Sequence, residues 1–161
     1  MKRTHIDIQR YVERAQRGPC FICEMLAGRK PHHIIYEDDR HVVFLNKYPT
    51  LYGYALVAPR DHREHVIGGF SMEEYLAMQK LIYAVAEAIK KVVPAERVYI
   101  LSLGSQQGNS HVHWHIAPLP PGVPYGEQQY EALRAENGIL EISYGEMAAL
   151  AARIRGAMDI G

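Results

Sequence analysis

The segment 111–117 constrains the fold of this chain more than any other, because three histidines alternate there with large apolar residues. Successive side chains of a β-strand point to opposite faces of a sheet. An extended segment would therefore carry all three imidazoles on one face and bury its apolar side chains through the other. The segment predicts a strand that is anchored in the core and presents a row of bases, nucleophiles or metal ligands. The three histidines are His111, His113 and His115.

Composition predicts one soluble globular domain that spans residues 1–161, with 48% apolar and 22% charged side chains. The eighteen basic and eighteen acidic side chains cancel, so no overall field would attract nucleic acid or a membrane surface. No apolar run is long enough to span a bilayer, and the first residues lack the apolar core of a signal peptide. We therefore expect a cytoplasmic protein with no nucleic-acid partner and no membrane contact.

The pattern of apolar residues predicts an α+β fold. Short apolar runs predict strands at 34–37, 42–45, 54–58 and 98–103, and the histidine segment adds another. A long helix is expected after Ser71, because Ser71 and Glu74 match a capping box and apolar residues then recur at helical spacing until Pro94. Together these elements predict an antiparallel sheet of about five strands with the long helix packed on one face.

Both ends of the chain extend beyond this predicted sheet. Residues 1–18 are expected to form an N-terminal helical extension, with a helix at 7–16, and a brief helical turn is expected at 20–27. Residues 119–161 form a C-terminal extension to which the sequence assigns no role. Helices are expected within it at 128–136 and 145–155.

A polar loop directly precedes the histidines. It carries glycine, hydroxyl and amide side chains and no charge, and such a loop can aim backbone N–H groups at an anion. Most loops of this composition are simple turns, but the neighbouring imidazoles favour a phosphate site. The candidate residues are Ser105, Gln106, Gln107, Gly108, Asn109 and Ser110.

Cys20 and Cys23 form a C-x-x-C pair. Without a secretory signal, such a pair indicates metal ligands or a redox couple more than a structural disulfide. A redox couple of the thioredoxin kind is disfavoured because no βαβ pattern surrounds Cys20. As metal ligands the two thiols need two further side chains to close a tetrahedral zinc site. The alternative is a pair of buried cysteines without a metal.

These motifs together resemble the histidine-triad (HIT) superfamily of nucleotidyl hydrolases and transferases, over residues 20–118. Residues 111–117 match its His-x-His-x-His signature, and the C-x-x-C resembles that of zinc-binding members. Asn46 ends a segment similar to the strand whose final Asp or Asn contacts the ribose. Residues 49–62 resemble Pro-x-x-x-Gly-His-x-Leu-Val-x-Pro-Lys-x-His, except that Tyr54 stands where the family usually has histidine. The loop before His111 is also shorter than the family form.

The resemblance implies a two-step reaction on a nucleotide or dinucleoside polyphosphate, or on an adenylylated amine. His113 would attack the α-phosphorus and form a nucleotidyl-histidine intermediate, which water or another acceptor would then cleave. His115 would hydrogen-bond the phosphoryl group or assist the leaving group. Asn46 and the polar loop would bind the nucleotide.

The resemblance also implies a zinc site that includes His62 and the first triad histidine, His111, beside the two cysteines. His65 is a spare candidate for the third ligand. Four protein ligands would make the zinc structural, since a catalytic zinc keeps one position open. Homodimers are common in the family, and the long helix is a candidate interface. The remaining histidines are interpreted as surface or loop residues: His5, His32, His33 and His41.

Alternatives to a hydrolase exist both within the resemblance and outside it. Phosphate could replace water as the acceptor, as in dinucleoside tetraphosphate phosphorylases, or the chain could be a nucleotide-binding module without turnover. Histidine pairs also bind catalytic metals in cupins and metallohydrolases. A cupin would lack the long helix, and a metallohydrolase would need carboxylates, none of which occurs between Val98 and Glu127.

Overall fold

The computed structural model describes residues 1–103 and 110–160. Its centre is an antiparallel sheet in the spatial order β2-β3-β4-β6-β5. The strands of this sheet are β2 (Ile34–Glu37), β3 (His41–Leu45), β4 (Ala55–Pro59), β5 (Arg97–Leu101) and β6 (Trp114–Leu119). The predicted α+β fold is confirmed, with a long helix against one face of a five-stranded sheet.

The histidine strand begins later than the sequence predicted. The ladder between β4 and β6 starts at the Val57–Trp114 pair, so His111 and His113 lie in an extended lead-in. If the ladder continued beyond this pair it would reach Pro59. Proline has no backbone N–H to donate to a ladder. The Pro59 carbonyl instead lies 2.8 Å from Nε2 of the His111 ring. A side-chain contact thus replaces the ladder at this end of the strand.

Helix α3 (Met72–Val92) lies on one face of the sheet. Its N-terminus has the predicted capping box, in which the Ser71 and Glu74 side chains bond to each other's backbone N–H groups. The helix and the apolar face of the histidine segment form one core, as the alternation predicted. This core includes Met78, Ile82, Val85 and Ile89 from α3 with Val112, Trp114 and Ile116.

The opposite face of the sheet carries the shorter helix α2 (Phe21–Leu26). Its buried residues Ile22 and Met25 pack on side chains of β3, β4 and β6 that point away from α3, among them Phe44 and Leu56. The sequence predicted a helical turn at these residues but not the face of the sheet on which it packs. Because α2 covers only part of this face, the neighbouring part of the sheet stays open to a pocket.

The N-terminal and C-terminal extensions meet in a second, two-stranded sheet that pairs β1 (Arg3–Thr4) with β7 (Ile139–Leu140). Helix α1 (Ile8–Arg17) follows β1 and matches the predicted N-terminal helix within one residue. The helix predicted at 128–136 is wrong in its extent. Only α4 (Tyr130–Leu133) forms there, between the short 3-10 turns Tyr125–Glu127 and Ala135–Asn137. Ala132 is the only buried residue of α4, so packing would stabilise a longer helix little.

Helix α5 (Tyr144–Ala157) packs beside α3 and closes the apolar core with fully buried Leu150 and Ile154. Near its end, the Arg155 guanidinium donates to the carbonyls of Ile34 and Ile35 at 2.6 and 2.7 Å. These contacts occupy carbonyls on the edge strand β2, which would otherwise be open to another strand. Within the described parts of the chain, no helix combines the length and apolarity needed to cross a membrane.

The single-domain organisation stays a prediction, and α5 allows a test of it. Leu150→Ala should lower the free energy of unfolding by about 2–5 kcal/mol, because it opens a cavity in a fully buried site. The matched change Leu76→Ala, on the exposed side of α3, should stay within about 0.5 kcal/mol of the wild type. Chemical denaturation followed by circular dichroism measures both. A Leu150→Ala effect as small as that of Leu76→Ala would show that α5 is not part of the cooperative unit.

Candidate functional site

A cluster of two cysteines and two histidines lies where α2 meets the histidine segment. Cys20 and Cys23 come from the start of α2, His62 from the loop after β4, and His111 from the lead-in to β6. One ligand atom from each lies within 4.8 Å of every other. The His111 Nδ1 is 3.4 and 3.6 Å from the two sulfurs, and the His62 Nδ1 is 3.5 Å from Cys23 Sγ.

The outer nitrogens of both imidazoles are held by other groups. Nε2 of His111 donates to the Pro59 carbonyl, and Nε2 of His62 lies 3.2 Å from a Glu64 carboxylate oxygen. Both contacts place the proton on Nε2 and leave the Nδ1 lone pair directed at the sulfurs. Histidine ligands of metals are commonly oriented in this way by a carbonyl or a carboxylate.

The donor set fits a tetrahedral zinc ion. Ligand atoms at ordinary zinc bond lengths stand about 3.3–3.8 Å from one another in a tetrahedron, as the nitrogen–sulfur distances here do. Burial and the neighbouring Cys20 raise the pKa of the Cys23 thiol to about 11. A bound dication would reverse this effect, since it stabilises thiolates directly. His65, the spare candidate of the sequence analysis, is not part of the described cluster.

The other two triad histidines lie side by side with ring centroids 4.8 Å apart. Nδ1 of His113 lies 2.7 Å from the backbone carbonyl of His111. Because a carbonyl only accepts, Nδ1 carries the proton and Nε2 keeps its lone pair. Nδ1 of His115 lies 3.0 Å from the phenol oxygen of Tyr54.

Both imidazoles are neutral near pH 7. Burial lowers the pKa of His113, and burial together with the His113 charge lowers the pKa of His115 to about 3. A neutral imidazole with a free Nε2 lone pair is a nucleophile. A neutral partner beside it can donate or accept a hydrogen bond at developing charge. The pair therefore has the chemistry that attack on a phosphoryl group requires.

His113 and His115 line a pocket of about 490 Å³, a volume typical of small-molecule sites. An aromatic cluster of Phe21, His32 and Phe44 is part of its lining. The Phe21 ring centroid lies 6.3 Å from that of His113, 5.9 Å from that of His32 and 6.1 Å from that of Phe44. A flat heterocycle packed on this cluster would lie close to the His113 imidazole.

The structure adds pocket residues that sequence reasoning missed. Tyr11 and Arg14 of α1 form one wall, and Lys30 and Lys47 contribute two further cations. Among the described residues, no carboxylate lines this pocket. His32, expected among the surface or loop histidines, does lie in a loop, but its ring is stacked on Phe21. The proximity of α1 to the pocket had no local sequence signal.

The predicted nucleotide-binding residues have different outcomes. Asn46 lines the pocket, where its Oδ1 accepts from the Tyr48 backbone N–H at 2.9 Å, and within the described residues no contact of its amide nitrogen is seen. The Ser110 hydroxyl donates to Glu64 at 3.0 Å, on the side of the cysteine–histidine cluster. The predictions for Ser105, Gln106, Gln107, Gly108 and Asn109 lie outside the described residues.

One supporting residue was also missed. The Ser102 hydroxyl donates to the backbone carbonyl of His113 at 2.8 Å. It joins the end of β5 to the lead-in of β6 at the point where the ladder has not yet formed. Ser102 was predicted only as part of a strand, and the bond depends on register across the sheet.

Comparisons of sequence point to one family. The model of the HIT domain matches residues 27–121. An uncharacterised HIT-like protein of Saccharolobus solfataricus is 33% identical over 102 residues, which cover 62% of this chain and 73% of that protein. The adenosine 5′-monophosphoramidase of Schizosaccharomyces pombe is 26% identical over 132 residues, which cover 73% of this chain and 94% of that protein.

Solved structures agree with this fold. A histidine-triad nucleotide-binding protein of Sulfolobus tokodaii superposes with a TM-score of 0.68 at 25% identity, covering 86% of this chain and 91% of that one. A zinc-bound histidine-triad protein of Mycobacterium smegmatis gives a TM-score of 0.61 at 22% identity, covering 86% and 96%. The domain match extends over the sheet, the long helix and the histidine triad, and the chain belongs to the HIT family.

Proposed function

We propose that this protein is a nucleotidyl hydrolase or transferase that acts through a covalent intermediate on His113. The observation that carries the proposal is the His113 imidazole, whose Nδ1–H is engaged by the His111 carbonyl. Its Nε2 lone pair is therefore available beside a pocket that aromatic rings and three cationic side chains line, with no carboxylate among the described lining residues. The bond that it would cleave is a phosphoanhydride, phosphoester or phosphoramidate at the α-phosphorus of a nucleotide.

The reaction has two displacement steps. In the first, Nε2 of His113 forms a bond to the α-phosphorus while the leaving group departs with the electron pair of its own bond, and an amine leaving group takes a proton from solvent as that bond breaks. In the second, a water oxygen bonds to the phosphorus, the nitrogen–phosphorus pair returns to Nε2, and one water proton is released. His115 would hydrogen-bond the phosphoryl oxygens, on which negative charge grows in each step.

Charge and shape in the pocket support a nucleotide as the ligand. Arg14, Lys30 and Lys47 lie along the same cavity as the two imidazoles, in a chain whose net charge is zero. Cations that converge without local carboxylates favour an anionic ligand. The aromatic cluster of Phe21, His32 and Phe44 offers an apolar surface on which a nucleobase could pack. Asn46 would donate its amide N–H to the ribose.

The proposed leaving group is an amine or a phosphate, and the proposed acceptor is water. The Schizosaccharomyces pombe relative is a monophosphoramidase, which supports phosphoramidates as one substrate class to assay. Dinucleoside polyphosphates are the other class, and phosphate is the alternative acceptor. The homodimer and the cytoplasmic location stay predictions from the sequence.

We also propose that Cys20, Cys23, His62 and His111 hold a structural zinc ion. Support comes from the closeness of the four ligand atoms, which all lie within 4.8 Å of one another, and from the contacts that orient both histidines. The ion would join α2 to the lead-in of β6 and so hold the His111 carbonyl that orients His113. With four protein ligands it would leave no position for substrate.

Replacement of the nucleophile should abolish turnover. His113→Ala is expected to lower kcat by about 10³-fold or more, because the reaction loses its covalent route. Wild-type protein quenched in base during turnover of an adenosine phosphoramidate should carry an AMP-sized adduct on His113, seen by mass spectrometry. His33→Ala is the control, since its ring contacts Tyr144 outside the pocket.

Other outcomes of this experiment separate the alternatives. An active wild type with no adduct and an active His113→Ala variant would disprove the covalent mechanism. Tight nucleotide binding without any turnover would identify a binding module. Products that contain a nucleoside diphosphate only when phosphate is present would identify phosphorolysis.

Zinc content should distinguish the two histidines that follow β4. Purified wild type is expected to carry about one zinc per chain, and Cys20→Ser and His62→Ala should lose most of it, since each removes one of four ligands. His65→Ala, a matched change outside the cluster, should keep the wild-type content. Elemental analysis with protein quantification measures this, and zinc loss in His65→Ala with retention in His62→Ala would reverse the assignment.

The cationic side of the pocket should contribute to nucleotide affinity through screened charge. Lys47→Ala is expected to weaken AMP binding about two- to fivefold, which corresponds to about 0.5–1 kcal/mol for an exposed ionic contact. The difference should shrink at high salt because screening removes it. Titration calorimetry at two salt concentrations measures both effects, with Lys90→Ala on α3 as the control. An unchanged Kd for Lys47→Ala would show that this cation does not contact the ligand.

A further inference from the structure

Tyr54 makes the one polar side-chain contact to the His115 ring that the described residues provide. Its hydroxyl lies 3.0 Å from Nδ1 of His115, and the tyrosine is only 6% exposed. Tyr54 directly precedes β4, whose Leu56 pairs with His115 in the ladder, so the sheet register fixes the two rings against each other. This is the position at which the chain departs from the histidine of the family pattern.

The direction of this hydrogen bond follows from the surroundings of the phenol. Burial raises the pKa of Tyr54 well above its usual range, so the phenol keeps its proton. If Nδ1 of His115 carried a proton and donated it, the phenol proton would need a second acceptor. Within residues 1–103 and 110–160, His115 is the only hydrogen-bond partner of the Tyr54 hydroxyl. A buried donor without an acceptor costs about 1–3 kcal/mol, so the phenol donates and Nδ1 accepts.

We propose that Tyr54 is a positioning residue that holds His115 in the neutral Nε2–H tautomer, with that N–H available to donate to the phosphoryl group. The inference rests on the proposed nucleotidyl-transfer function. It makes the two neighbouring imidazoles opposite in tautomer: His113 has its lone pair on Nε2, whereas His115 has its proton there. The backbone carbonyl of His111 sets the first tautomer and the Tyr54 phenol sets the second.

The opposite tautomers divide the chemistry between the two rings. The lone pair of His113 can bond to phosphorus, while the N–H of His115 can stabilise charge on the phosphoryl oxygens without a proton transfer. Loss of that proton would leave an imidazolate, or a phenolate if Tyr54 passed its own proton to Nδ1, and the burial of both rings opposes either anion. His115 would therefore act as a fixed hydrogen-bond donor and not as a general acid.

Nitrogen-15 spectroscopy of the imidazole rings tests the geometry without any substrate. In wild-type protein near pH 7, His115 should show a protonated Nε2 and an unprotonated Nδ1 whose chemical shift reports an accepted hydrogen bond. In Tyr54→Phe the Nδ1 signal should move to the position of a nitrogen without a donor, or the ring should change tautomer. Tyr36→Phe is the matched control, since it removes a phenol that bonds Asp38 at 3.0 Å outside the pocket.

Steady-state kinetics test the consequence for catalysis. Tyr54→Phe should lower kcat about ten- to hundredfold, somewhat less than deletion of a direct donor to transition-state charge, with KM changed less than about twofold. Tyr36→Phe should leave both constants at their wild-type values. A purely structural role of Tyr54 would instead lower the melting temperature and leave the His115 nitrogen shifts unchanged.

The outcomes separate this inference from the proposed function. A protonated Nδ1 on His115 in the wild type would overturn the inference even in an active enzyme. Nitrogen chemical shifts of His115 that stay the same in Tyr54→Phe would also overturn it. Expected shifts with an unchanged kcat would also overturn the positioning role. A wild type with the expected tautomer but no turnover of any nucleotide would disprove the proposed function, and with it the catalytic consequence of the contact.

Discussion

The buried imidazole of His111 is the contact on which the rest of the site depends. It is fully buried, and its two ring nitrogens face two different parts of the fold. Nε2 donates to the Pro59 carbonyl at the end of β4, while Nδ1 lies against the cysteines at the start of α2. The backbone carbonyl of the same residue accepts a hydrogen bond from Nδ1 of His113. One residue thus connects a strand, a helix, the cysteine–histidine cluster and the proposed nucleophile.

This arrangement explains how three histidines of one motif come to differ. All three side chains are imidazoles, two residues apart in the chain, so their intrinsic chemistry is the same. Their partners differ: sulfurs and a proline carbonyl for His111, a backbone carbonyl for His113, and a phenol for His115. Which nitrogen carries the proton decides whether an imidazole binds a metal, attacks phosphorus or donates to an oxygen. In the proposed mechanism, the hydrogen bond at the opposite nitrogen of each ring would set these tasks.

The two faces of the sheet contribute differently to the site. The face that carries α3 and α5 forms a continuous apolar core with Trp114 and Ile116, and this packing holds β6 in place. The other face is covered by α2 in one part and opens into the pocket in another. Because side chains alternate along β6, tight packing of Trp114 fixes the orientation of His115 next to it. Close packing on the α3 face of the sheet thus helps to hold the His115 ring in position on the pocket face.

Local patterns in the sequence were sufficient for the sheet, the α3 helix with its capping box, and the family of the chain. They succeeded because strand alternation, helical periodicity and motif spacing are properties of neighbouring residues. They failed where contacts between distant residues determine the structure. Strand β6 starts at Trp114 because Pro59 lies across from its lead-in. The segment around Ala132 stays a single helical turn because it buries little apolar surface.

By itself, the sequence determined which residue types carry the chemistry and that they alternate with a core. The family resemblance named His62 as the candidate ligand with His65 as a spare, and the tertiary structure places His62 beside the cysteines. Only the tertiary structure placed α1 and Lys47 along the pocket and set Tyr54 against His115. Each of these contacts joins residues that are distant in the chain or on different elements. Their formation depends on packing and register across the sheet, which no local pattern of residues encodes.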